Sequence, residues 1–218
     1  MMNRSEKLKK LKKLKKLNKP IKSKDIQYER KRLDVLEACW QAILRVGIDK
    51  VTMREIAFEL DATTGTLVHY FRTKDDILLQ SLMHLFNVTF ESIEDQVKGK
   101  SGLNRIEHFI YATLPLDKDG EIGWRIWLSY LRASISDDEI SIEHQRKYAH
   151  IQDWLLQEIK NLDNSGEIKK ELNLDLEVRS LGALIDGIGV GYIVNPTRFT
   201  YEMQRALVKR HINTFLAA

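Results

Sequence analysis

A single cysteine and three prolines are all that this 218-residue chain holds of either type. Lone Cys39 excludes an internal disulfide and a cysteine-rich zinc site. It sits among apolar residues at helical spacing and reads as a buried structural thiol. Few prolines and no alternating Val/Ile/Thr-rich runs leave strands without support, so an all-α chain is expected. No apolar run approaches the ~20 residues that cross a bilayer. The N-terminus is basic but lacks the apolar segment of a secretory signal, so a cytoplasmic protein without membrane contact is expected. The six histidines fall in no H-x-x-x-H or His/Cys pairing, and no Ser/His/Asp arrangement or carboxylate pair is evident. Neither a metal, a cofactor nor catalysis is expected.

Charge is present but unevenly placed. Residues 1–19 carry eight lysines and Arg4 against Glu6, a local balance of +8, so a whole-chain charge of +4 leaves the remainder at −4. Leu8, Leu11, Leu14 and Leu17 recur every third residue. That step spreads them over half a helical circumference, a poor amphipathic stripe. Residues 1–26 therefore read as a basic, disordered extension. It is either a solvated tail or an arm adding phosphate contacts to a nucleic acid.

Apolar positions at three-and-four spacing mark a helix from Tyr28 to Val46, with Gly47 just past its end. Thr52 and Glu55 form a capping box for a second helix, and Ile56, Ala57 and Leu60 face a core. Asp61 and Ala62 make a turn, and Thr63 or Thr64 caps a helix about two turns long. Leu67 and Phe71 point back at the preceding helix. Thr73 to Asp76 opens a long helix to Val97. Five more helices are expected near 103–114, 121–135, 138–162, 174–194 and 200–216, with Ser136–Glu139 as a capping pattern and Asn195-Pro196 as a break.

Two short helices joined by a tight turn suit insertion into a DNA major groove. Thr64, Thr66, His69 and Tyr70 face away from the core and can donate or accept at base edges and phosphates. Gly65 lets backbone approach the duplex, and Lys74 at a helix start is placed to hold a phosphate. The pattern alone is also compatible with a plain helical hairpin. Thr52-Met53-Arg54-Glu55-Ile56-Ala57, then Thr63 through Phe71, then Lys74, resembles the DNA-binding signature of the TetR family over residues 29–75. The resemblance implies phosphate contacts from Thr52 and Lys74, and groove contacts from Thr63, Thr64, Thr66, His69 and Tyr70. Asp61 stands where the family usually has glycine, and Val68 where it usually has tyrosine. The second departure shifts affinity toward Lys74 and the basic extension.

Trp124, with Ser136-Asp137-Asp138-Glu139 and Leu181 through Gly187, is similar to the betaine-inhibitor-like (BetI-type) group. The resemblance implies residues 27–75 as a DNA-binding domain and 76–218 as a helical effector-binding and dimerisation domain. It implies a homodimeric repressor on a near-palindromic double-stranded operator, released by a small-molecule effector, with the last two long helices pairing between subunits. On those helices Leu181, Leu184, Ile185, Ile188 and Tyr192 share one face, and Met203, Leu207, His211 and Phe215 suit another. Trp124, Trp127, Leu128 and Leu131 share a face that is either core or effector pocket. Aromatic faces hold quaternary ammonium cations, making such a compound the candidate effector. Asp186, costly to bury alone, is either an inter-helix hydrogen-bonding group or a counter-charge to a cationic effector. Gly187-Ile188-Gly189-Val190-Gly191 follows no strand and reads as a close helix–helix contact, not a phosphate loop. The rival reading is a basic-tailed helical protein held at anionic surfaces or by another protein, without sequence-specific DNA recognition.

Overall fold

The computed structural model describes residues 23–214, apart from 167, 170 and 171. Most of the basic extension, and Phe215 of the expected dimer set, lie outside the described residues. Among those described there are nine α-helices and a 3-10 turn, Ile48–Lys50. The helices are α1 (Ser23–Val46), α2 (Met53–Glu59), α3 (Thr64–Val68), α4 (Lys74–Val97), α5 (Gly102–Thr113), α6 (Lys118–Ala133), α7 (Asp138–Ser165), α8 (Leu174–Val194) and α9 (Tyr201–Ile212). The all-α class expected from composition holds. None of the helices is long and apolar enough to cross a membrane.

The chain divides into two compact units, the first ending at Ser81 and the second beginning at Leu82. The division falls inside α4 and not at its start, because the first turns of that helix pack on α1. Trp40 Nε1 donates to the Ser81 carbonyl at 3.0 Å, and Ser81 Oγ meets Cys39 Sγ at 3.5 Å. Ile77 and Leu78 are buried alongside. The helix α1 begins at Ser23, so the last residues of the expected extension are helical.

In the first unit Val35, Cys39, Ala42 and Ile43 of α1 are fully or nearly fully buried. Gly47 ends the helix at φ 79, a backbone that glycine adopts without a Cβ penalty. Val51, Ile56, Leu67 and Phe71 complete the core. Burying each such side chain contributes roughly 1.5–3 kcal/mol, which is what holds helices as short as α2 and α3 in place.

The second unit is built on five helices and the rest of α4. Phe109 of α5 stacks on Trp154 of α7 at 3.7 Å. Arg105 donates to Glu158 at 3.0 Å and to the Val97 carbonyl at 2.9 Å, tying three helices together. Asp117, Asp137, Asn173 and Thr200 cap α6 to α9 through side-chain oxygens. One of these caps moves an expected boundary, and another keeps the start of α7 at Asp138 where it was expected. Asp117 starts α6 three residues early, and Asp137, not Ser136, accepts from the Ile140 amide. The helix α7 runs past 162 to Ser165, where Gly166 at φ 74 stops it.

Candidate DNA-reading face and effector cluster

The helix-turn-helix is fastened at each joint. Thr52 Oγ1 accepts from the Glu55 amide at 3.2 Å. The other half of the expected capping box is replaced, since the Glu55 carboxylate accepts from Arg45, which also binds Glu59. At the end of α2 the Asp61 amide donates to the Phe58 carbonyl and the Ala62 amide to the Ala57 carbonyl, at 3.2 and 3.0 Å. This is a Schellman cap, and its left-handed position is Asp61 at φ 50. The residue that departs from the family's glycine thus occupies the conformation that favours glycine.

Thr63 is the cap of α3. Its hydroxyl accepts from the Thr66 amide at 3.3 Å and lies 3.2 Å from the Thr66 hydroxyl. The regular helix is shorter than the two turns expected. It closes at Val68, and His69 and Tyr70 form a turn held by the Phe71 amide on the Leu67 carbonyl at 2.9 Å. Leu67 and Phe71 point into the core, while Thr64, Gly65, Val68 and His69 are exposed. Thr66 and Tyr70 are half-buried, and Thr52 is exposed. Lys74 opens α4, whose cap is Thr73 on the Asp76 amide at 3.1 Å, and its ammonium lies 3.4 Å from Asp75.

Sequence reasoning missed Tyr28. Its ring lies 5.9 Å from that of His69 and 5.0 Å from that of Tyr70, and its hydroxyl reaches the His69 carbonyl at 3.5 Å. The start of α1 is therefore anchored to the edge of the reading face. An exposed tyrosine at a helix start carries no local signal for this, because the contact spans 41 residues.

The second unit brings some of the expected effector residues together and removes others. Trp124 is 8% exposed, its Nε1 donates to the Thr113 carbonyl at 2.8 Å, and its ring lies on Gly189. It packs as core. Leu128 is half-buried and Leu131 is 41% exposed. Trp127 stacks on His144 of α7 at 4.0 Å, and Asp186 of α8 accepts from Tyr148 of α7 at 2.6 Å. Burial pushes the Asp186 carboxyl and the Tyr148 phenol up, and holds the His144 imidazole below its ordinary value. The buried His144 Nε2 has no hydrogen-bond partner among the described residues. His144 and Tyr148 were legible only as an i, i+4 pair on one helix face.

The expected dimer residues of α8 need correction. Leu181, Ile185 and Ile188 are at most 7% exposed and fill the protomer's own core. Their three-and-four spacing faces inward because α8 must cover α6 and α7 before it can cover anything else. Toward solvent α8 shows Ala183, Gly187, Val190 and Val194. Leu184, Tyr192, Leu207 and His211 are half-buried, and Met203 is exposed. The glycine run makes close contacts, but with rings. Gly189 meets Trp124, Gly191 meets Phe199, and Gly187 faces open space.

Two family models cover most of this architecture. Residues 35–80 match the bacterial regulatory proteins of the tetR family, and residues 103–217 match the BetI-type transcriptional repressor C-terminal domain. The chain belongs to the TetR family. It is a helix-turn-helix transcriptional regulator with a BetI-type C-terminal domain, in a family of DNA-binding proteins and not of enzymes. Over 193 residues it is 23% identical to the HTH-type transcriptional regulator PksA of Bacillus subtilis, covering 88% of this chain and 92% of that one. It is 20% identical to BetI of Serratia proteamaculans, covering 84% and 90%. A transcriptional regulator from Saccharomonospora viridis, solved in complex with choline, superposes with a TM-score of 0.81 at 22% identity, covering 87% and 100%.

Proposed function

We propose that this TetR-family protein is a dimeric repressor that reads a near-palindromic operator and lets go of it when a small molecule binds the second unit. The observation that carries the reading is the exposed face of Thr64, Gly65 and Val68, with His69 in the turn that follows, on a helix whose N-terminus is capped by Thr63 and whose Leu67 is fully buried. Thr52 and Lys74 flank it as phosphate contacts, with Thr63, Thr66 and Tyr70 completing the set. In a dimer the two faces would lie roughly 34–36 Å apart, one turn of the duplex. The solvent-facing row of α8, together with Met203 and Ala206 of α9, supplies the apolar surface for pairing.

The effector reading rests on Trp127, Asp186, His144 and Tyr148. A carboxylate beside aromatic rings suits a cation, and choline bound to the Saccharomonospora relative makes a quaternary ammonium compound the first to test. Release requires that the effector bind the DNA-free conformation more tightly than the DNA-bound one.

The test is a duplex selected from a random library, compared with a scrambled duplex at one fixed salt by fluorescence anisotropy. At least 10³-fold preference is expected for specific recognition. Equal affinity would leave only the rival, a protein held electrostatically at anionic surfaces. Added choline should weaken the selected complex; intact binding at millimolar choline removes the quaternary ammonium assignment and leaves DNA reading standing. Removing residues 1–19 should flatten the dependence of log affinity on log salt if that segment touches phosphates.

A further inference from the structure

The second unit holds a groove away from the Trp127–Asp186 cluster. It lies between α4 and α7, is open to solvent, has a volume of about 470 Å³ and is lined by Met83, Phe86, Phe90, Arg146, Lys147 and His150, together with Asn87, Glu91 and Glu143. The volume falls within the range of small-molecule sites. Its floor is aromatic. Phe86 and Phe90 are parallel at 5.6 Å, and His150 stands edge-on to both at 5.7 and 4.6 Å. Four-residue spacing puts the two phenylalanines on one face of α4. That face is not closed by α7, which reaches it through side chains.

The charges of the groove are not equivalent. Arg146 is held by Glu143 at 2.6 Å. The Lys147 ammonium lies 4.7 Å above the Phe86 ring, and no carboxylate forms an ion pair with it among the described residues. An ammonium over a benzene ring is held by the quadrupole alone, and it retains the capacity to take a counter-ion. An elongated ligand would therefore lie with its acid group at Lys147 and its apolar body over Phe86, Phe90 and Met83.

We propose that the groove between α4 and α7 is a binding site for an apolar carboxylate, paired to Lys147 and laid on Phe86 and Phe90. It is distinct in position and in charge preference from the cation site proposed at Asp186, and it stands whether or not that proposal does. An aromatic acid and an acyl acid share this chemistry. The first stacks flat on the ring pair, and the second follows the groove with a flexible chain.

The experiment is calorimetric titration of the full chain, without DNA, with 2-naphthoate, octanoate and choline chloride as separate probes. At least one carboxylate should bind, and naphthoate binding the tighter would favour an aromatic acid. Lys147→Ala should weaken that binding tenfold or more, Lys147→Arg should keep it within about threefold, and Phe90→Leu should weaken it with the charge intact. Choline should not compete. No carboxylate binding at millimolar concentration, equal binding by Lys147→Ala, or displacement by choline would each overturn the proposal. A thermal unfolding curve for each variant distinguishes a lost site from a lost fold. Because no operator is involved, failure of the repressor reading would leave this result unchanged.

Discussion

Adding one methyl group at Gly189 tests how α8 is seated on α6. A Cβ there would lie 2.3–2.4 Å from three atoms of the Trp124 ring, against the ~3.5–4 Å of a relaxed carbon contact. The ring must retreat by more than 1 Å or the helix must shift. The indole cannot swing freely, because it is buried and its N–H is bonded to the Thr113 carbonyl at 2.8 Å. Overpacking costs about 1–3 kcal/mol, and stretching a buried hydrogen bond a further ~1–3 kcal/mol. Alanine recovers about 1 kcal/mol of helix propensity. The net expectation for Gly189→Ala is a loss of about 3 kcal/mol, or a melting temperature lower by roughly 6–12 °C for a chain of this size. Gly123→Ala, on α6 with nothing within 4 Å of the added atom, should instead gain up to about 1 kcal/mol. Thermal unfolding followed by tryptophan fluorescence reports mainly on this unit, since Trp124, Trp127 and Trp154 belong to it. If Gly189→Ala were as stable as Gly123→Ala, the close seating of the helix on the indole would be refuted.

Relief of the left-handed backbone at Asp61 is worth about 1–2 kcal/mol, offset by ~0.4–1 kcal/mol of added unfolded-state freedom. Asp61→Gly should therefore stabilise the first unit by about 0.5–1 kcal/mol in urea unfolding, while Asp61→Val should destabilise it; the reverse order would contradict the φ 50 assignment. The His144 imidazole is held below its ordinary value by burial. The unfolded chain thus takes up the proton first, and stability should fall as pH drops below about 6.5, by at most ~1.4 kcal/mol per pH unit. His144→Phe should abolish that part of the slope. Asp186 acts in the opposite sense, because its carboxyl is raised by burial. The stability it contributes in its protonated form is lost as pH rises from the ordinary aspartate value through its folded one, and Asp186→Asn should flatten this limb. Tyr28→Ala should reduce discrimination between selected and scrambled DNA by about 3–10-fold, within the ~1 kcal/mol scale of aromatic contacts. Tyr28→Phe should be close to neutral because its hydroxyl contact is long at 3.5 Å. Unchanged discrimination in Tyr28→Ala would detach Tyr28 from the reading face.

What could be read from the chain was what local rules encode. Gly47, Thr52 and the Asn195-Pro196 break each set a boundary through a hydrogen bond or a φ value within four residues, and these fell where the sequence placed them, while of the two candidates Thr63 and Thr64 it is Thr63 that caps α3. Where two capping residues stand side by side, as with Ser136 and Asp137, α7 still starts at Asp138 as expected, but spacing cannot say which oxygen turns inward, and it is that of Asp137. The reading face was legible for the same local reason. By contrast, which face of α8 belongs to the protomer depends on α6 and α7, and periodicity gives a stripe without naming the neighbour it meets. Trp124 could not be assigned to core or pocket until Gly189 was opposite it. His144 and Tyr148 join the candidate cluster through Trp127 and Asp186, each on another helix.

Cys39 gives the molecule a built-in chemical clock. It is the only thiol in the chain and is 0% exposed, so a maleimide reaches it only when the surrounding helices part. Under conditions where closing outruns reaction, the labelling rate measures the free energy of that opening directly. Bound DNA should slow the label by the factor with which it stabilises the closed form. A cysteine placed on the surface would then be the one site that reacts promptly, giving a single dye or spin label without removing any natural residue.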